Sequence, residues 1–176
     1  PDDLSSVYFR RLSESSNLSD VYLTPLEPSD FPDASPYNDD GISFHEFLNA
    51  QNAYREYVYE TYTALPEETR EAAEALCERY GLQASLSMSS DASYPNLNGT
   101  YESIRRLLEE RCEYSYTPSS IPEEEDFTTY FLEESREGYC VHFATAATVL
   151  LRSLGIPARY AEGLIVTQAD YDTPRD

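Results

Sequence analysis

The chain has 176 residues, with 33 Asp and Glu against 12 basic residues, all of them arginine, and a formal net charge of -21 at pH 7. That length suits one domain, and so negative a field repels phosphate backbones and anionic lipid surfaces, which argues against nucleic-acid binding. Three cysteines are too few for a disulfide framework and fall at no metal-ligand spacing, and the longest uncharged run, about 14 residues, is too short to span a bilayer.

The chain opens on "PDDLSSVYFRR" with no signal peptide. This reads as a start inside a longer protein. Residues 1–42 are rich in Ser, Asp and Pro and are expected as loop, with one extended piece at "VYLTPL". "NDDGISFHEF" does not make a calcium loop: with Gly41 at the turn, the first and twelfth positions would be Pro36 and Phe47. Ser43 and Glu46 form a capping box, and Phe44, Phe47, Leu48, Tyr54, Val58 and Tyr62 recur at helical spacing behind it, so 43–62 is expected as a helix.

A second helix follows in "LPEETREAAEALCERYG", opened by Pro66 and closed by Gly81, with Cys77 as a buried thiol beside Ala73, Leu76 and Tyr80. "QASLSMSSDASYPNLNG" reads as a linker. A third helix is expected over about 99–113, with Ile104, Leu107, Leu108 and Cys112 inward. "EYSYTP" leaves it extended. The acidic run Glu123–Asp126 is expected as a solvated loop leading to a short helix that buries Phe127, Tyr130, Phe131 and Leu132. Three regions result: 1–42, a helical region over 43–116, and a third unit from 117.

Residues 140–154 form the least polar stretch, expected as a helix apolar nearly all round and therefore enclosed by protein. Gly155 should end it in a left-handed cap and Pro157 prevent its resumption. Alternation in "ARYAEGLIV" predicts a strand over 158–166. Cys140 falls in the first turn of this helix. There the unpaired amides and the positive dipole end favour a thiolate, and the same amides could hold an oxyanion on a carbonyl under attack.

The segment "GYCVHFATAATVLLRSLGIPARYAEGLIV" resembles the cysteine segment of the transglutaminase-like superfamily, in both its G-x-C-x-x-F-A head and its LGIPAR tail. More loosely, the preceding helices resemble the region before that core in large bacterial membrane-anchored members. The resemblance implies an α-rich α+β fold of papain-like type, a cysteine helix packed on an antiparallel sheet that is incomplete here. It implies Cys140 as the nucleophile, a thioester formed from a glutamine carboxamide with loss of ammonia, and transfer to an amine or to water. A protein or peptide substrate, no cofactor or metal, and a location on the extracytoplasmic face of a bacterial membrane also follow from it. A cysteine peptidase or amidase on the same scaffold, and a non-catalytic interaction module, are the alternatives.

In that family a histidine and then an aspartate follow the strand after the cysteine helix. Only His45 and His142 occur in this sequence. His142 lies two residues beyond Cys140, on the opposite side of the helix, so it is expected to be buried or half-buried and locally hydrogen-bonded rather than the base. His45 sits on a remote helix, and Asp170, Asp172 and Asp176 precede any possible histidine, so none of them is a triad member. The sequence is thus expected to stop inside the catalytic domain, leaving these 176 residues inactive and the edge of strand 158–166 open for pairing between copies. Arg159 is expected to pair with a carboxylate or cap carbonyls, Arg152 to favour the helix C-terminus, and Tyr139 either to flank the substrate channel or to pack. With no lysine, the segment offers no side-chain amine to a crosslinking enzyme.

Overall fold

Ser43 starts the first helix, α1 (Phe44–Thr63), as its sequence signature requires. Its Oγ accepts the Glu46 N–H at 3.1 Å while its own N–H donates to Glu46 Oε2 at 3.1 Å. The computed structural model describes residues 23–34, 41–85 and 97–163. The expected extended piece lies partly outside them, and within them Pro28–Asp30 form a 3₁₀ turn. Residues 24–31 lie along α1: Asn52 Oδ1 accepts the Leu26 N–H at 2.7 Å, its Nδ2 donates to Leu26 O at 3.0 Å, and Leu26, Phe31 and Leu48 form a small apolar cluster. Phe47 and Tyr54, expected inward, are exposed. The inward stripe runs instead through Leu48, Asn52, Arg55, Tyr59 and Tyr62, where Arg55 reaches Thr24 O and Asn52 Oδ1 at 3.3 Å each. Buried polar groups are tolerated there because backbone carbonyls receive them.

Helix α2 (Glu67–Tyr80) begins at Pro66 and ends at Gly81 with φ +62°. Leu82 N–H donates to Cys77 O at 2.8 Å and Gly81 N–H to Glu78 O at 3.2 Å, a Schellman closure that a Cβ-bearing residue would strain. Ala73, Leu76 and Cys77 are buried, as their spacing predicts. The linker after α2 falls largely outside the described residues. Helix α3 (Asn98–Arg111) turns Ile104 and Leu108 inward and buries Thr100, whose Oγ1 accepts the Ser85 N–H at 2.8 Å. Outside, Arg105 pairs with Glu102 and Glu109 at 2.7 Å each.

After α3 the chain extends through β1 (Glu113–Tyr114), then returns through α4 (Phe127–Thr129), which runs directly into a π-helical turn, Tyr130–Ser135. Asp126 is more than a solvated loop residue: its carboxylate caps α4 by accepting the Thr129 N–H at 2.9 Å. Phe131 and Leu132, adjacent in sequence, are both fully buried in the wide turn. Arg136 takes φ +51° and hands the chain to β2 (Glu137–Gly138). β2 pairs with β1 in parallel, Glu113 opposite Glu137 and Tyr114 opposite Gly138. This is the only ladder among the described residues.

Helix α5 (Cys140–Ser153) follows at once. Its Ala146 and Leu150 are fully buried and join Leu76, Cys77, Ile104, Leu108, Phe131 and Leu132 in one core that draws on α2, α3, the π turn and α5 together. Enclosure is less complete than the sequence suggests: Cys140 and Val141 are exposed and most other positions of α5 are half-buried. The helix closes as expected, with Gly155 at φ +72°, Ile156 N–H on Leu151 O at 3.0 Å and Gly155 N–H on Arg152 O at 3.0 Å.

The strand predicted over 158–166 is absent from its described part, 158–163. Instead of a neighbouring strand, this segment meets the end of α1: Ala158 N–H donates to Tyr62 O at 2.9 Å. Arg152 Nε donates to Ala158 O and its Nη1 to Ala64 O, both at 2.9 Å. The carbonyl-capping role expected of Arg159 therefore belongs to Arg152, and Arg159 is exposed. The architecture is an α-rich α+β unit with a minimal sheet.

Candidate active site

Position 140 is reached through three local constraints. The left-handed turn at Arg136 ends the π helix, the ladder of β1 and β2 aims the chain, and Tyr139, with extended backbone (φ -111°, ψ -174°), becomes the residue from which α5 starts. Ser115 N–H donates to Gly138 O at 2.8 Å and Glu113 N–H to Arg136 O at 2.7 Å, so the approach is held from α3's side. Cys140 is then the first helical residue, with its thiol exposed and free of disulfide. The other two thiols are buried; burial pushes Cys77 up and Cys112 up to about 11.

The first turn of α5 leaves amides available. Tyr139 O accepts from His142 N–H at 2.8 Å and from Phe143 N–H at 3.4 Å, whereas the N–H groups of Cys140 and Val141 find no acceptor among the described residues. Two donors thus flank the sulfur at the positive end of a 14-residue helix.

From the thiol an apolar groove of about 470 Å³ runs between α3 and α5. Cys140, Ala144, Ala147 and Leu151 form one wall, at helical spacing, with Phe143; Tyr101, Ile104 and Leu108 form the other, and Arg105 and Glu109 mark its rim. Ala144 and Ala147 line the groove, whereas Ala146 is fully buried in the core.

His142 is half-buried, its ring in contact with Tyr139 (centroids 4.5 Å), Phe127 (5.8 Å) and Phe131 (5.8 Å). Its Nδ1 accepts the Tyr139 N–H at 3.4 Å, so it is locally bonded as expected. His45 is exposed at the start of α1. Among the described residues no carboxylate or imidazole hydrogen-bonds to the Cys140 sulfur, and no group of three or more His, Cys, Asp or Glu could hold a metal ion. Asp170, Asp172 and Asp176 lie outside the described residues. Tyr139 is 37% exposed and packs edge-on against His142.

Tyr160 lies on the segment that follows Pro157. Its hydroxyl donates to Glu162 Oε1 at 2.9 Å. That bond, followed by partial burial and the Glu162 charge, pushes the phenol up, with smaller contributions from the Cys140 sulfur and Tyr139. The segment after Pro157 therefore passes within electrostatic reach of the thiol, a proximity that sequence spacing does not encode.

The family model for the transglutaminase-like superfamily matches residues 87–174, half of the chain, and the chain belongs to that superfamily. A 45-residue stretch is 51% identical to "Uncharacterized protein YebA" of Bacillus subtilis (strain 168); it covers 25% of this chain and 6% of that protein. No solved structure matches the chain significantly. No helix among the described residues is long and apolar enough to cross a membrane.

Proposed function

We propose that Cys140 is the nucleophile of a transglutaminase-like acyl transfer carried out by a longer protein of which this chain is a part. The single observation that supports this reading is the exposed thiol on the first residue of α5, beside two unengaged amides and at the end of a groove. The thiolate attacks the carbonyl carbon of a glutamine carboxamide in a protein or peptide. The resulting oxyanion is received by the N–H groups of Cys140 and Val141. Ammonia leaves, a thioester remains on sulfur, and an amine or water then displaces the thiol.

A proton acceptor and its orienting partner have to come from residues other than those described, since His142 is committed to the backbone and His45 is on α1. We accordingly propose that these 176 residues alone do not turn over. A membrane-anchored, extracytoplasmic setting fits the likeness of the helical region to large bacterial members of the family.

The test compares this chain, a longer natural form, and that form with Cys140→Ala. Amine incorporation, glutamine deamidation and peptide hydrolysis are assayed in parallel. Turnover by the longer form only, lost with Cys140→Ala, is the expected result. Robust turnover by the short chain, or Cys140-independent turnover, overturns the reading. Hydrolysis of peptide bonds without amine incorporation would assign the scaffold to a cysteine peptidase or amidase.

A further inference from the structure

We infer that His142 is a positioning residue that fixes the first turn of α5, and with it the Cys140 sulfur and the amides beside it. The functional weight of this inference rests on Cys140 being the nucleophile; its geometry does not. A capping box normally places Glu or Gln at the third helical position, reaching back to the N–H of the residue before the helix. Here that third position is His142, and its Nδ1 accepts the Tyr139 N–H at 3.4 Å. The imidazole replaces the carboxylate of an ordinary capping box with a neutral acceptor on a rigid ring. An acceptor at Nδ1 places the ring proton on Nε2.

The ring is clamped as well as bonded. Tyr139 meets it edge-on at 4.5 Å between centroids, and Phe127 and Phe131 lie at 5.8 Å each. Its fourth side is the backbone of Gly138: a Cβ on that glycine would lie 2.6 Å from His142 Cβ and 2.7 Å from its Cγ. Gly138, Tyr139 and His142 thus form one unit around the thiol, in which the glycine admits the ring and the ring holds the amide of the residue preceding the nucleophile. Tyr139 offers no side-chain cap of its own. Without the imidazole acceptor the turn frays, and the two unengaged amides beside the sulfur lose their alignment.

The experiment uses the whole chain and needs no turnover. Iodoacetamide alkylation of Cys140 at pH 7 is followed by mass spectrometry for the wild type, His142→Asn, which keeps an acceptor near the Nδ1 position, and His142→Phe, which keeps a ring without one. His142→Asn is expected within about two-fold of the wild-type rate and His142→Phe about five-fold slower, the range that loss of an N-terminal cap provides. A folded His142→Phe protein alkylating at the wild-type rate overturns the inference. Long-range ¹H–¹⁵N correlation on the wild type gives an independent decision if that variant does not fold: an Nε2–H tautomer for His142 supports the inference and an Nδ1–H tautomer overturns it. Neither readout depends on catalysis, so a longer protein without Cys140-dependent turnover would refute the proposed function and leave this inference standing.

Discussion

The sulfur of Cys77 lies 3.4 Å from the hydroxyl of Ser153, the last residue of the helix whose first residue is Cys140. One helix therefore carries an exposed thiol at its start and packs against a buried one at its end. Burial pushes both Cys77 and Cys112 up, which withholds the thiolate that reacts with alkylating agents. Brief native treatment with iodoacetamide should add one adduct, on Cys140, and treatment in denaturant should add three. Intact-mass measurement followed by peptide mapping checks both numbers; early modification of Cys77 or Cys112 would contradict the packing described.

Gly138→Ala should destabilise the fold by about 1–3 kcal/mol, the usual cost of forcing atoms into a filled space. The added methyl meets His142 Cβ at 2.6 Å and Phe131 Cε2 at 2.9 Å. Phe131 is wholly buried, so the strain cannot escape outward on that side. Urea denaturation followed by far-ultraviolet circular dichroism measures the change.

Stability should fall on the alkaline side because of Cys112. Its folded thiol is pushed up to about 11 by burial, so the folded state holds this proton more tightly than the unfolded chain does. The contribution is intact below about pH 8.5, where unfolded thiols begin to ionise, and is lost as pH rises toward 11. Cys112→Ala should flatten that decline relative to the wild type. Part of the slope persists, because burial is also the first cause raising Cys77 and Tyr80. On the acid side Glu133, held low by hydrogen bonds from Tyr80 and Arg79, acts in the opposite sense: its contribution is present above the ordinary carboxylate range and disappears as pH falls. Denaturation midpoints between pH 3 and pH 11 test both limbs.

Arg152→Met should cost about 1–2 kcal/mol, since it removes charge-assisted bonds to two carbonyls while keeping the aliphatic stem. The larger effect is local. Residues 158–163 lose the bond from Arg152 to Ala158 O, and with it the bridge through Arg152 to Ala64 O, and limited proteolysis should cut there first.

The helices were legible wherever the signal was local and chemical. Ser43 with Glu46, Pro66, Gly81, and Gly155 with Pro157 each set a helix boundary through groups within a few residues of one another. Cys140 as the opening residue of α5 followed from the same kind of reasoning. What failed depended on partners distant in the chain. Alternation at 158–163 predicts a strand only if another strand is beside it, and here the neighbours are the last carbonyls of α1. Asn52 and Arg55 face inward because Thr24 and Leu26 present carbonyls to them, so the apolar periodicity found Phe44, Leu48, Val58 and Tyr62 but missed these two polar residues and wrongly included the exposed Phe47 and Tyr54. The adjacent Phe131 and Leu132 turn inward together in a π turn that ordinary helical spacing cannot anticipate.

The tether between Arg152 and the end of α1 bears on how this protein can be shortened. Cutting at residue 87, where the family match begins, would discard Tyr62 and Ala64 and strip Leu76 and Cys77 from the shared core. The polypeptide leaving the cysteine helix would then lose its rudder: its heading is set by two carbonyls at the far end of a helix that family boundaries leave out.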